Sequence, residues 1–546
     1  DKIYLYDNDG GEYISGDGTD LTITSGNDIV FALGAAGSVY HTGDGGSNNT
    51  IYGLNAGVAL ASGGNSNVLL GENAGAALTI GDGNVAIGHG AFDAADLGEE
   101  GNIAIGYNAL GAVDEGGSGG DSDYNIGIGY QALLGGAFGS DIALQSNIAI
   151  GAFALDATGA AAFTGTVAIG HQALTAQTAN SESVAIGYQA GLANQTGSKN
   201  VLVGYQTGVT FTDMDNCTLV GYKAGNAIAH NDADGTTAIG YTALTALTSG
   251  EGNTAVGLSA GAAITDGHYN TLLGYDTGKA LVSGDSNVFV GWKAGQTIVN
   301  ASHNIAIGHN CMSTSTNDLS INNIAIGSNA LDAISSNNAN NNVCIGFNSG
   351  TAMLGTDSNT LVGSYAGDEI TTGGDNTCIG YGTDVDVDAN NQTALGSGVV
   401  TDSANDVNIG NTSVDEIKGQ VSFGTYSDER TKTNIVDSDI GLDFIKLLKP
   451  RRFTKVNPAD YPASIKREGY DGLGDWTEEQ NNKVWDGMIA QEVKSAMDEC
   501  GISTFTAWDE ESNSKQVLAY STFVMPLIKA VQELTAKVEE LESKLK

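Results

Sequence analysis

The stretch NVFVGWKAG, from Asn287 to Gly295, contains the pattern that decides the fold. Close copies read NIAIGYNAL from Asn102, NTAVGLSAG from Asn253 and NTLVGSYAG from Asn359. The general form is N-[VIT]-x-[VIL]-G-x-x-A-[GL], and its glycine occurs 21 times between residues 53 and 410. Ten of the 20 spacings are 17 residues and most others are 16 to 19. So regular a period is typical of a chain built from stacked structural units.

Each copy of the phrase predicts one short β-strand followed by turns. In each strand two apolar residues flank a central one, and we expect the two flanking residues to face the interior. Val288 and Val290 form one such pair, and Ile103 and Ile105 form another. A second interior position, such as Ala294, follows the glycine. Asparagine stands four positions before the glycine in 15 copies, and we expect its amides to stack. Frequent glycine disfavours helix, so the unit is a β-solenoid coil.

Composition divides the chain near residue 426. Residues 1 to 426 contain six lysines, no arginine and no proline against 42 acidic residues, whereas the last 120 residues hold 16 basic and 22 acidic ones. The total charge of -42 argues against nucleic-acid and anionic-membrane partners. No apolar run approaches the ~20 residues of a membrane span, and no signal-peptide pattern opens the sequence, so membrane insertion is not expected. We predict an N-terminal β segment over 1–48, repeats over 49–410, a β linker over 411–426 and a separate domain over 427–546.

The cysteines and the acidic glycine turns are the candidate metal sites. The five cysteines are odd in number and contain no CxxC, which argues against a disulfide framework and a zinc site. Acidic glycine turns at 15–20, 81–83 and 283–286 offer oxygen ligands of the kind that calcium takes. They lack the GGxGxD regularity of calcium-binding rolls, so solvated turns are favoured and no cofactor is expected.

The C-terminal part contains a segment in which a serine and a lysine lie five residues apart. It reads TYSDERTKTNI, from Thr425 to Ile435. A serine hydroxyl needs a neighbouring base to become a nucleophile, and Lys432 can serve Ser427 if burial favours the neutral amine. The alternative is that Ser427 and Asp428 cap a turn while Lys432 is solvated.

Two family resemblances bear on function. The segment just described, followed by GMIAQEVKSAM from Gly487 to Met497, resembles the endosialidase-type intramolecular chaperone, the self-cleaving C-terminal domain of phage tail spikes and fibres. This resemblance implies cleavage between Tyr426 and Ser427, with Ser427 and Lys432 as the catalytic pair. The repeats, with SVAIG at residues 183–187, resemble the head repeats of trimeric autotransporter adhesins and also occur in phage tail fibres.

The last 26 residues predict a coiled-coil helix over about 521–546. Apolar residues recur at 3-4-3-4 spacing over three heptads, which is the pattern of a helix seam. A single amphipathic helix docked on its own domain is the alternative. Thin repeats and a short terminal helix both favour association, so we predict a parallel homotrimer. The predicted seam comprises Val524, Leu527, Val531, Leu534, Val538, Leu541 and Leu545.

The fold expected is mostly β: a trimeric β-solenoid rod of about 21 repeats, then a small α+β chaperone domain ending in a coiled coil. Together with the resemblances, this indicates a phage tail-fibre shaft or receptor-binding protein, located in the virion and assembled in the host cytoplasm. Its partners would be other tail proteins and a host glycan or outer-surface protein. Activity would be limited to a single-turnover Ser-Lys autoprotease. A polysaccharide-degrading tail spike and a cellular adhesin are the alternatives.

Two surfaces are candidates for receptor binding. One is the segment 111–124, where the repeat spacing widens to 23 and 22 residues. The other is a stripe of aromatic residues that directly follow the repeat glycine, for which structural packing is favoured over sugar stacking. The stripe comprises Tyr107, Tyr130, His171, Tyr188, Tyr205, Tyr222, Tyr241, Tyr275 and His309.

Overall fold

We analysed a computed structural model of the 546-residue chain. The predicted N-terminal β segment over 1–48 lies almost wholly outside the described residues, as does most of the candidate receptor segment. The structure describes residues 46–96, 98–113, 122–135, 144–158, 163–179, 182–229, 231–314, 320–334, 339–401, 403–414, 416–420, 427–457, 460–462, 476–510 and 515–546.

The repeats form a β-solenoid, which confirms the predicted fold class. Each copy contributes one three-residue strand that ends immediately before the repeat glycine, and 21 strands form one parallel sheet. Neighbouring strands pair without offset, so that Phe289 lies opposite Leu272 on one side and Ala306 on the other. The strands are β1 Thr50–Tyr52, β2 Val68–Leu70, β3 Val85–Ile87, β4 Ile103–Ile105, β5 Ile126–Ile128, β7 Ile148–Ile150, β9 Val167–Ile169, β10 Val184–Ile186, β11 Val201–Val203, β12 Thr218–Val220, β13 Thr237–Ile239, β14 Thr254–Val256, β15 Thr271–Leu273, β16 Val288–Val290, β17 Ile305–Ile307, β18 Ile324–Ile326, β19 Val343–Ile345, β20 Thr360–Val362, β21 Thr377–Ile379, β22 Thr393–Leu395 and β23 Val407–Ile409. The short β6 Leu144–Gln145 and β8 Phe163–Thr164 pair separately.

The strand side chains that face the interior of the coil are not the ones that we predicted. The central residue of the strand is buried, as Ala104 and Phe289 are, whereas the flanking aliphatics that we expected to face inwards are only partly buried. Leu273 is 47% exposed. The three-residue strand alternates its side chains between two faces, and the narrow coil accepts the smaller central residue in most copies. The residues that flank the central one therefore form two columns on the outer face of the sheet, one almost wholly aliphatic and the other a mixture of aliphatic residues and threonine.

The rest of the interior is filled in one of two ways. The alanine three positions after the glycine is buried, as expected, and Ala294 is an example. Where the phrase ends in leucine, as at Leu174, that side chain is buried too. Where it ends in glycine, a large apolar residue three positions later takes the space in most copies, as Ile298 does after Gly295. The A-[GL] ending thus has a packing explanation.

Buried asparagine side chains join successive coils just before the strand in the 15 copies that carry asparagine there. The Oδ1 atom of Asn270 accepts the backbone N–H of Asn287 at 3.0 Å and its side-chain amide at 3.0 Å. The Asn287 amide also donates to the carbonyl of Ala301 at 2.8 Å. Each amide therefore satisfies buried backbone groups of its own coil and of the next one. The predicted stacking of these amides is present.

The glycine that ends each strand is required by backbone contact. From Gly53 to Gly380, φ at these glycines is between 131° and 146°, a region that side chains with a Cβ rarely adopt. A Cβ on Gly187 would lie 2.1 Å from the carbonyl oxygen of Gly204 in the next coil. Consecutive coils therefore approach so closely that no other residue fits without displacement of the backbone.

The described residues of the C-terminal domain form four α-helices and two strand pairs. Its core contains Phe444, Val493, Met497, Phe505 and Phe523, and the ring of Phe505 packs edge-on against the rings of Phe444 and Phe523. The elements are α1 Leu442–Leu447, β24 Arg451–Thr454, α2 Glu478–Asn482, β25 Val484–Gly487, α3 Ala490–Glu499, β26 Trp508–Glu510, β27 Gln516–Leu518 and α4 Val524–Leu545, with β24 antiparallel to β25 and β26 to β27.

The predicted linker lies between the last repeat and this domain. Residues 415 and 421–426 lie outside the described part, and the described residues of 411–420 contain no strand. Within the described ranges, no helix combines the length and apolar character needed to cross a bilayer.

We predict that Gly187→Ala destabilises the rod by about 2 to 4 kcal/mol, because the new Cβ meets the Gly204 carbonyl and the φ of 141° is strained. Chemical denaturation followed by circular dichroism measures the change. Gly165→Ala is the matched control, since Gly165 also has positive φ but has open space around its missing Cβ, and we expect it to cost about 1 kcal/mol. Equal costs for the two variants would show that the contact between coils is not limiting.

Candidate active site

The segment around Ser427 is organised by a short turn. Residues Glu429–Thr431 form a single 3₁₀ turn that Asp428 caps, since its Oδ1 accepts the backbone N–H of Arg430 at 2.9 Å. The Thr431 hydroxyl donates to the carbonyl of Asp428 at 2.7 Å. The chain leaves the turn at Lys432, whose N–H donates to the Glu429 carbonyl at 3.0 Å. The turn reverses the chain between the serine and the lysine.

This reversal brings together the two side chains that we singled out from sequence. Lys432 Nζ lies 2.5 Å from Ser427 Oγ and 3.3 Å from the Ser427 carbonyl oxygen. A base within hydrogen-bond distance of a hydroxyl is the first geometric condition for an activated nucleophile. The Asp428 cap and the Ser427–Lys432 contact coexist, so the turn interpretation and the catalytic one are not mutually exclusive. Tyr426, on the other side of the predicted scissile bond, lies outside the described residues.

An ion pair stabilises the turn. The guanidinium of Arg430 contacts both carboxylate oxygens of Asp428, with Nη2 to Oδ2 at 2.6 Å. Hydrogen bonds from the Arg430 side chain and then from its backbone N–H hold the pKa of the Asp428 carboxyl below its usual value. The role of Arg430 is not evident from sequence, although its position two residues after an acidic cap is a local signal for such a pair. The pair is exposed, so its contribution is to order the turn more than to stabilise the domain.

The site lacks the burial that a lysine base needs. Ser427 and Lys432 are both exposed in the single chain, as are all residues from 427 to 439. The serine and the lysine are therefore within hydrogen-bond distance of each other, whereas both side chains are surrounded by solvent. Burial away from water is what favours the neutral, proton-accepting form of a lysine amine.

The predicted seam on α4 is also uncovered. All seven seam residues, from Val524 to Leu545, are between 46% and 87% exposed. The helix docks on its own domain through a different stripe, in which Pro526 and Ala530 are buried and Glu533 accepts the backbone N–H of Leu442 at 2.8 Å. These three residues each precede a seam residue by one position, which is about 100° around the helix. Docking on its own domain thus leaves the seam free.

The aromatic stripe lies on the outside of the rod and stacks on itself. Adjacent rings within three runs are nearly parallel, with interplanar angles of 6° to 14° and centroids 4.6 to 6.3 Å apart. Each inner ring has both faces covered by its neighbours, so within a run only ring edges are presented to solvent. Sugar stacking needs an open ring face, which argues against this use inside the runs. The runs are His89–Tyr107–Tyr130, His171–Tyr188–Tyr205–Tyr222–Tyr241 and Tyr275–Trp292–His309.

The other candidate sites are occupied by structural contacts or lie outside the description. The carboxylates of Asp82 and Asp285, in two of the acidic turns considered for calcium, accept backbone N–H groups of Asn65 and His268 in the preceding coil at 2.5 and 2.7 Å. The turn at 15–20 lies outside the described residues. So do residues 114–121 of the candidate receptor segment.

The cysteines are mostly part of the core. Four are buried and Cys500 is exposed. Desolvation is the main reason that the pKa values of the Cys217, Cys311 and Cys378 thiols are raised to about 12. Burial raises the pKa of Cys344 as well. These thiols stay protonated at neutral pH and are poor nucleophiles.

We predict that a thiol reagent at pH 8 modifies one cysteine per native chain, because only Cys500 is accessible. Colorimetric titration measures the number, and denaturation should raise it to five. In the control, Cys500→Ser should reduce the native value to zero. A second reactive thiol in the native protein would show that the rod opens locally.

Comparison with known proteins identifies a family for part of the C-terminal domain. Residues 427–502 match the model of a family described as the chaperone of endosialidase. The match begins at Ser427, the residue that lies 2.5 Å from Lys432 Nζ. A search of curated proteins found no match. The chain therefore combines a β-solenoid rod with a C-terminal domain of the endosialidase-chaperone type.

Proposed function

We propose that the protein is a homotrimeric fibre, specifically a phage tail-fibre shaft or receptor-binding protein. In this proposal the C-terminal domain acts as an intramolecular chaperone that assembles three chains and is then released by cleavage between Tyr426 and Ser427. The observation that carries the proposal is the contact between Lys432 Nζ and Ser427 Oγ at the first residue of the segment that matches the chaperone family.

The cleavage step follows from the chemistry of this pair. Neutral Lys432 takes the hydroxyl proton while Ser427 Oγ attacks the carbonyl carbon of Tyr426. The bond from that carbon to the Ser427 nitrogen then breaks, and the nitrogen receives the proton from the lysine ammonium. The product is an ester between Tyr426 and the Ser427 side chain. Water hydrolyses this ester, which releases residues 427–546 with a free amino group. Each chain performs the reaction once.

Two uncovered apolar surfaces support the trimer. One is the seam of α4, which has the spacing of a coiled coil. The other is the outer face of the sheet, where the residue before the repeat glycine is aliphatic in 20 of the 21 strands and lies beside the aromatic stripe. Contiguous apolar surface of this extent is characteristic of protein interfaces. Three copies packed along both surfaces would bury them, and a parallel arrangement would place the three C-terminal helices together.

The proposed biological setting has two alternatives. A polysaccharide-degrading tail spike needs a cleft with a suitably placed pair of carboxylates, and we identify no such pair on the described coils. A cellular adhesin shares the repeat phrase but has no evident need for a chaperone of the endosialidase type. We therefore favour the fibre, with a host glycan or outer-surface protein as receptor. A polysaccharide-degradation assay on purified trimer separates the fibre from the degrading spike.

We predict that the wild-type chain yields a released fragment of residues 427–546, whereas Ser427→Ala and Lys432→Ala leave a full-length chain. The first variant removes the nucleophile and the second removes its base, while neither side chain packs in the core. Denaturing gels and intact mass spectrometry measure the product, and sedimentation should show trimers for all three proteins. Lys449→Ala, a change at another exposed lysine of the same domain, is the control and should cleave normally. One full-length band for mature wild type would refute self-cleavage.

We predict that Leu534→Asp prevents assembly, because a charge would be placed at the centre of the seam. Sedimentation velocity should show the loss of trimer, and cleavage should be lost with it. Glu539→Asp, a change at an exposed position outside the seam, is the control and should assemble like wild type. A trimer that persists unchanged in Leu534→Asp would rule out the seam as the trimer contact.

A further inference from the structure

The aromatic stripe on the outside of the rod has three positions between His89 and Tyr381 where the residue after the repeat glycine is small. They are Ala152, Ser328 and Ser364. Two of these gaps are filled, because the residue that follows Ala152 or Ser364 is aromatic and packs edge-on between the stripe rings on either side, at centroid distances of 5.2 to 6.1 Å. Ser328 is followed by an asparagine, so no ring of the described residues fills its gap.

The rings of His309 and Phe347 border the gap at Ser328. One face of His309 is stacked on Trp292, with centroids 4.6 Å apart and an interplanar angle of 12°, and the opposite face is turned towards the gap. Phe347 is 42% exposed, and its ring contact is with Tyr365, on the side away from the gap. This is the end of one aromatic run and the start of the next, where a ring face is not covered by a neighbour.

The orientation of Phe347 follows from an equivalent part of the stripe. Tyr130 is nearly parallel to Tyr107, at 8°, so its face points along the rod, and the ring of Phe153 meets it at 63°. Phe347 occupies the same place in its coil as Tyr130 and meets Tyr365 at 78°. The shared position and the similar angle indicate that the face of Phe347 also points along the rod, towards the gap.

The gap has the dimensions of one ring. The backbone N–H of Asn329 donates to the carbonyl of His309 at 2.9 Å, and that of Asn348 donates to the carbonyl of Ser328 at 3.0 Å, so three successive coils are in register here. His309 and Phe347 are therefore two strand spacings apart, which is about 9.6 Å. A ring midway between them would lie about 4.8 Å from each, within the range of about 4.5 to 7 Å at which rings stack.

Amide groups lie beside the gap. Each of the three coils carries an asparagine directly after its stripe residue: Asn310, Asn329 and Asn348. Asn329 donates to Oδ1 of Asn348 at 3.0 Å, which holds its side chain along its own column and out of the gap. Within the described residues, the Asn310 side chain forms no hydrogen bond and the amide nitrogen of Asn348 donates none. Both groups are available to hydroxyls of a bound molecule.

The chemistry of the gap selects among ring-shaped ligands. Its two walls offer stacking, and its amides offer hydrogen bonds around the rim of the bound ring. Residues 1–426 carry 42 acidic residues against six lysines, which disfavours an anionic ligand. A neutral pyranose meets all three conditions, because its C–H groups stack on aromatic faces and its hydroxyls project from the rim.

We propose that His309 and Phe347 hold one neutral pyranose ring between them above Ser328, with its hydroxyls bonded to the amides of Asn310 and Asn348. Both faces of the sugar must then be apolar. This favours a sugar whose hydroxyls are all equatorial, such as β-glucopyranose, because the axial hydroxyl of galactose or mannose would point into one of the two rings. Aromatic side chains of a partner protein lack this ring of hydroxyls and would leave the amides unused.

This inference deepens the proposed receptor binding, and it rests on the proposed function only in assigning the sugar to a host glycan. The slot itself is independent of cleavage. It lies in the aromatic stripe, beside the sheet face that the proposed trimer buries, and therefore has to stay open in the assembled rod.

Saturation-transfer difference NMR on the purified full-length protein tests the proposal. The probe is methyl β-D-glucopyranoside, titrated to obtain a dissociation constant and compared with methyl β-D-galactopyranoside and methyl α-D-mannopyranoside. We expect transfer to the ring C–H protons of the glucoside, and binding of the other two that is weaker by about threefold or more, because each loses one stacking contact. N-acetyltyrosinamide is the probe for the alternative, a protein side chain.

Ser328→Tyr closes the slot with the protein's own ring, and we expect it to abolish the glucoside signal. The fold should accept this change, since tyrosine occupies the same place in the coil at Tyr205 and Tyr222. Ser328→Leu provides a second closure with a smaller side chain. Leu258→Tyr is the control, because it adds the same ring at the stripe's other non-aromatic position, and it should bind the glucoside like wild type. Circular dichroism and sedimentation compare fold and assembly.

Each outcome bears on one level of the proposal. Loss of the signal in the two Ser328 variants but not in Leu258→Tyr supports the slot. Absence of glucoside binding to wild type, equal binding of the three sugars or tighter binding of N-acetyltyrosinamide overturns it. A signal that survives in folded Ser328→Tyr or Ser328→Leu also overturns it, as does loss of the trimer in these variants, which would make the stripe a contact between chains. A wild-type chain that neither assembles nor cleaves refutes the proposed function instead and leaves the sugar measurement standing.

Discussion

The close contact between glycine backbones of successive coils is the constraint on which the rest of the rod depends. The approach of 2.1 Å that a Cβ on Gly187 would make shows that the coils can stack only where the strand ends in glycine. Because this contact recurs at nearly every coil, the strands pair without offset and the asparagine amides of successive coils meet in ladders, as those of Asn270 and Asn287 do. In-register pairing also aligns like side chains, and this produces the aliphatic columns and the stacked aromatic runs on the outer face.

The same constraint explains why one chain is an incomplete unit. A coil of about 17 residues encloses space for one strand residue, one alanine and one larger side chain, so the remaining aliphatics must lie outside. The seam of α4 repeats this arrangement at the other end of the chain, where the helix docks through one stripe and leaves its most regular apolar stripe uncovered. Rod and helix therefore both present apolar surface in repeating order, which favours parallel association of identical copies.

In the candidate active site, local contacts bring the two side chains together but do not bury them. The turn capped by Asp428 places Lys432 beside Ser427 using contacts within six residues, so the pair forms without any help from the rest of the fold. Local contacts cannot exclude water from so short a segment. Any removal of water from the pair must therefore come from groups outside this segment.

The sequence alone determined the solenoid, because glycine recurs with a nearly constant period at the position where the backbone adopts a geometry that only glycine permits. It also singled out Ser427 and Lys432, since a spacing of five residues lets one short turn bring them together, and it located the apolar stripe of α4. Their roles in cleavage and in assembly stay predictions. The direction in which the strand side chains point was predicted wrongly: Val288 and Val290 lie on the outer face and Phe289 lies inside. Alternation reveals that a strand has two faces but does not reveal which of them the coil encloses. Three further features required the tertiary structure: the role of Arg430, the stacking of the aromatic rings and the docking of α4 through Glu533. Each depends on distances between side chains that sequence spacing does not specify.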